Sequence, residues 1–86
     1  MTNRHEGLRA DGPAVYLIQV GGRLDSKWSA SMGGMNITAA RSGANDIVTT
    51  LIGELQDQAA LAGVLNTIYD LHMPVLSVKC LGESDS

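Results

Sequence analysis

The chain has 86 residues, 44% of them hydrophobic but only 3% aromatic, with a formal net charge of −3. That length holds one domain with a small, necessarily aliphatic core, because there is no Phe, one Trp and two Tyr. Six Lys/Arg spread without a basic run exclude the electrostatic footprint of a nucleic-acid binder, and no stretch approaches the roughly 20 apolar residues of a membrane-spanning helix. A single cysteine, Cys80, excludes an internal disulfide, and with His5 and His72 it makes a poor zinc set. Small domains without such staples often turn to a partner subunit.

Residues 1–12 are polar and read as an N-terminal leader without the apolar core of a secretory signal, so a cytoplasmic location is expected. The domain proper is placed at 13–82, with a polar tail at 83–86. AVYLIQV, Ala14 to Val20, is a nearly continuous apolar run between Pro13 and Gly21-Gly22, which predicts a well-buried strand. RLDSKWSASMGG, Arg23 to Gly34, is less regular. Asp25 or Ser26 caps a short helical turn over Lys27–Ser31, and Gly33-Gly34 ends it. Met35, Ile37 and Ala39 alternate with Asn36, Thr38 and Ala40 in a half-buried strand. The turn residues Ser42 to Asp46 and a further strand, Ile47 to Leu55, complete an antiparallel hairpin.

Asp57 is a natural N-cap. Behind it Leu61, Val64, Leu65, Ile68 and Leu71 form one apolar stripe at helical spacing, and Pro74 stops the helix near His72. VLSVKCL, Val75 to Leu81, predicts a last strand with Leu76, Val78 and Cys80 on one side and Val75, Ser77 and Lys79 on the other. The expected fold is therefore α+β in the order β-β-β-α-β, a mainly antiparallel four-stranded sheet with one covering helix. One helix covers one face. The first strand is apolar on both, so the bare face predicts association through the sheet.

The segments GRLDSKWSASMGGMNI and TLIGELQDQAALAGVLNTIYDLHMPVLSV resemble a family of small, uncharacterised bacterial proteins. Its pattern is roughly G-x-L-D-x-x-W, then D-Q-A-A-L-x-G-x-L, then D-L-x-x-P-x-L-S-V. The likeness spans about residues 15–80, and Asp57 to Gly63 is its most specific block. The resemblance implies a compact stand-alone protein and lends no catalytic residues. After Trp28 the family continues with an aromatic pair, where this chain has Ser31 and Met32.

The chemistry on offer is thin. No G-x-G-x-x-G or Walker spacing is present, so no cofactor is expected. Cys80 on the apolar side of its strand reads as a buried structural thiol. Gly63, with Ala59 beside it, sits inside the helix, where glycine costs about 1 kcal/mol, and predicts a close approach of the helix to another element. Asp70 and His72 are two apart and form no local dyad. Arg23 to Met35 carries the only Trp, and Trp28, Met32, Met35, Arg23 and Asp25 are candidates for a ligand site or interface, together with Tyr16 and His72. The alternative for Trp28 is a lid over one end of the core. The functional expectation is a non-enzymatic homo-oligomer serving assembly or small-ligand or partner binding, with a small apolar ligand as a further partner. The alternative is a small cofactor-independent enzyme with an apolar pocket inside a barrel-like assembly, using Tyr16, Arg23, Asp25 or His72.

Overall fold

The computed structural model describes residues 12–43 and 46–83. The expected leader therefore lies outside the described residues but for Gly12, and the tail but for Glu83. The elements are β1 (Ala14–Gly21), η1, a 3-10 helix (Ser26–Met32), β2 (Asn36–Ser42), β3 (Asp46–Leu55), α1 (Gln58–Asp70) and β4 (Val75–Glu83). They form one antiparallel sheet in the order β2-β3-β1-β4. The α+β class and the β-β-β-α-β order expected from the sequence are the observed ones.

β1 lies inside the sheet, with a partner strand hydrogen-bonded along each edge. It pairs with β3 from Ala14 opposite Leu55 to Gly21 opposite Val48, and with β4 from Ala14 opposite Glu83 to Val20 opposite Val75. The hairpin pairs β2 with β3 from Asn36 opposite Ile52 to Ser42 opposite Asp46. β3 and β4 both run antiparallel to β1 and so run parallel to each other. Such strands need a long connection, which α1 supplies.

The core lies on one face of the sheet. Ala14, Tyr16, Ile18 and Val20 from β1 meet Thr49, Leu51 and Leu55 from β3, and Leu24, Met32, Met35, Val64 and Ile68 close over them. The helix stripe read from the sequence points here: Val64 and Ile68 are buried, and Leu61, Leu65 and Leu71 pack half-buried against the cluster. Gly53 interrupts the inward row of β3 for a steric reason. A Cβ there would sit 3.1 Å from Met35 Cα, where the chain crosses into β2.

The cover is shared between α1 and η1. Asp25 caps η1, its carboxylate accepting from Lys27 N at 3.0 Å, and Gly33 ends it at φ 70°. A side chain at Gly33 would also collide with Leu55 Cδ2 at 2.7 Å. Asp57 caps α1 by accepting from Ala60 N at 2.8 Å. The helix ends by a Schellman arrangement in which His72 N donates to Tyr69 O at 2.9 Å and Met73 N to Ile68 O at 3.3 Å.

Three expectations are corrected. β4 does not alternate regularly: its register with β1 shifts between Gln19 and Val20 and again between Val15 and Tyr16. Val75 and Val78 therefore both line the helix side, whereas Leu76 lies near Gly21 and Val48. Cys80 is exposed rather than buried, because α1 packs on β3 and η1 and leaves the edge strand uncovered. Gly63 is exposed, and nothing comes within 4 Å of a Cβ placed there, so no close approach within the described chain explains it.

Thr49 is the buried polar residue of the core. Its hydroxyl donates to Gly22 O at 2.6 Å and accepts from Leu24 N at 3.0 Å. It thus fixes the link by which the chain leaves β1 to cross the sheet. Thr49→Val keeps the volume but strands the buried Leu24 N–H, so chemical denaturation should show a loss of about 2 kcal/mol. Thr49→Ser, which retains the hydroxyl, should recover more than half of that loss.

Candidate functional site

The end of β1, the start of η1 and the end of α1 converge. Gly22, at φ 101°, turns the chain out of the sheet, and its N–H donates to Ile47 O at 2.7 Å. Gly21 N donates to Pro74 O at 2.9 Å and ties the same corner to the start of β4. Around this corner lies a shallow depression of about 570 Å³ that brings together Arg23, Asp25, Trp28 and His72, with Lys27 beside them. Four residues singled out in the sequence thus meet in space, although nearly fifty positions separate His72 from Arg23.

A larger groove of about 950 Å³ opens on the other side of His72 and Met73. It runs between α1 and β4, with Leu65, Met73, Val75 and Val78 giving it an apolar lining. Asn66, Tyr69, Asp70 and His72 stand at its polar rim. Tyr69 is 78% exposed, an unusual degree for so large a side chain. His72 belongs to both depressions and is the only described non-glycine residue with positive φ, at 61°. A left-handed histidine costs free energy that glycine at the same place would not.

The other candidates lie elsewhere. Met32 and Met35 are fully buried under η1 and present no surface. Trp28 is half-buried against the core and also faces the depression, so the lid and the contact surface are one side chain. Ala59 and Gly63 lie on the exposed side of α1. Tyr16 is buried opposite Cys80. Burial and the Cys80 thiol push its phenol above the usual value of about 10, and a hydrogen bond with Gln58 acts in the opposite direction. Asp57 is spent on capping. Among the described residues no group of His, Cys, Asp and Glu could hold a metal ion, and no helix is long and apolar enough to cross a membrane.

Sequence reasoning missed the groove itself. The signal was present in part, as Val75 and Val78 following the apolar end of α1, but their facing the same side depends on the register shift in β4.

These features define an α+β domain in which, among the described residues, helical cover lies on one sheet face and an apolar groove runs along one edge. The chain belongs to the family described as a domain of unknown function, DUF8691, whose model matches residues 15–79. No curated protein and no solved structure matches it.

Two measurements check this geometry. His72→Gly should raise stability by roughly 1 kcal/mol, since glycine relieves the left-handed backbone. His72→Ala, still left-handed but without the imidazole, should not. Tyr16, with its phenol pKa raised by folding, contributes stability that is intact below pH 10 and lost as pH climbs through the folded value. Tyr16→Phe should flatten the alkaline limb of the stability profile above pH 10.

Proposed function

We propose that this domain is a non-enzymatic, self-associating module of the bacterial cytoplasm, serving assembly or the binding of a small ligand or partner. One observation carries the reading: the sheet has a helical layer on one face only. On the other face Val15, Leu17 and Val48 are half-buried, while Ile52 is 36% and Leu76 55% exposed, and no second layer covers them among the described residues. A lone layer of sheet with an apolar outer side gains by meeting another surface.

That outer face is not uniformly apolar. Gln19 donates to Thr50 Oγ1 at 3.5 Å and accepts from Ser77 Oγ at 3.2 Å, a polar rung across three strands. Such a rung suits a surface that meets a partner of specified register better than a featureless core. The depression at Arg23, Asp25, Lys27, Trp28 and His72 suits contact with a small ligand or a partner, because it sets the cations Arg23 and Lys27 and the Asp25 carboxylate beside the Trp28 ring. His72, Asp25 and Arg23 are all exposed, which favours binding over proton-transfer chemistry in a water-excluded pocket.

Light scattering over a dilution series tests the reading. The expected result is a fixed multiple of the monomer mass that persists into the micromolar range. A monomer throughout that range overturns it.

A further inference from the structure

The groove between α1 and β4 and the corner depression at the start of η1 are two parts of one surface, because His72 and Met73 line both. The groove is apolar along its floor, and that floor exists because β4 is bulged. Ile18 pairs with Val78 and Val20 with Val75, so the extra residue, Leu76, is what turns both valines to the helix side. Val75 stays 41% and Val78 40% exposed, an apolar strip about 10 Å long.

Charge divides this surface. Arg23 and Lys27 stand exposed in the corner. Asp25 between them caps η1 by accepting from Lys27 N at 3.0 Å, which leaves the corner with an excess of positive charge. The rim of the groove instead carries Asp70, and no Lys or Arg lines it. An anionic group is therefore favoured in the corner and disfavoured along the groove. At the junction stands His72, held at φ 61°, and backbone strain of this kind gathers at ligand clamps.

We infer that groove and corner together bind one single-chain amphipathic carboxylate, its apolar chain over Val75 and Val78 and its head at Arg23 and Lys27. Such a site rests on the ligand-binding part of the proposed function, names its ligand, and does not require self-association. The groove, about 950 Å³, matches small-molecule sites of roughly 300–1,000 Å³, whose linings are apolar with a few placed polar groups. A guanidinium such as that of Arg23 takes a carboxylate through two parallel hydrogen bonds. The half-buried Trp28 ring forms a wall beside the head. Residues 1–11 fit the floor poorly, since Met1 and Leu8 are their only large apolar side chains. Association through the outer face, on the other side of the sheet, leaves the groove open.

Calorimetric titration with decanoate tests the site, with decyltrimethylammonium and decanol as probes of equal chain and different head. Decanoate should bind saturably, one per chain, well below the concentration at which it forms micelles, and should shift the emission of Trp28, the only tryptophan. The cationic probe should bind at least about 10-fold more weakly. Arg23→Gln combined with Lys27→Gln should weaken decanoate by at least about 10-fold and leave decanol unchanged. Val78→Asp should weaken both, and Lys79→Gln, on the other side of β4 opposite Leu17, should change neither. A cationic probe that binds as tightly as decanoate, or a decanoate affinity unmoved by the glutamine pair, overturns the proposal. No saturable binding overturns it as well: an oligomer lost in Val78→Asp then assigns the groove to a second copy, and retention of the chain on phosphatidylglycerol vesicles assigns it to a membrane. A monomer that binds decanoate overturns self-association and leaves the site standing, and an oligomer that does not bind it does the reverse.

Discussion

The Thr49 hydroxyl sets the position of everything on the covered face. It holds Gly22 and Leu24, the two residues flanking Arg23, by one donated and one accepted hydrogen bond. The chain must leave the central strand there and travel over the sheet to reach its far edge. With that exit fixed, η1 lies against β2, and Leu24, Met32 and Met35 fill the space beneath it. α1 then rests on β3 and on η1. Two helical pieces share the cover, and neither is long enough to reach the other side. Among the described residues nothing lies over the β4 edge, and the open groove beside it follows from where η1 is placed.

Much of this fold is written locally. The apolar run of β1, the alternation in β2, the turn residues between β2 and β3 and the stripe of α1 each state their element in a few residues. Asp25 and Asp57 announce the caps that the structure contains. The family match over residues 15–79 covers nearly all of these elements. What stayed hidden depends on residues far apart. Bulges in β4 arise from its pairing with β1, some sixty positions away, so Val75 and Leu76 exchange sides in a way no alternation rule foresees. Cys80 looked buried because its strand looked covered, and the cover depends on where the helix lies sideways. Thr49 was legible in part, as the one polar residue in an otherwise apolar or glycine row. Gly63 remains without a physical account within the described chain.

The candidate site shows the same division. Its members are individually conspicuous as sequence: a lone Trp, a charge cluster beside paired glycines and a histidine before Met-Pro. Their meeting at one corner follows from the hydrogen bonds of Gly21 to Pro74 and of Gly22 to Ile47, which no spacing encodes. His72 stands out further for its backbone. Helices commonly end on glycine at this position, and a histidine held there accepts strain in return for a side chain shared by two depressions.

The pairing of Ala14 with Glu83 brings the start of the first strand and the end of the last to one corner of the sheet. A short linker between them would close the chain into a ring without disturbing a strand. New ends opened at the β2–β3 turn, beside Gly43, would leave the same sheet with β1 and β4 joined in sequence as they already are in space. The domain is therefore suited to insertion into a loop of a host protein. Its strands would enter and leave the host at nearly one point, with the groove between α1 and β4 pointing wherever that corner is anchored.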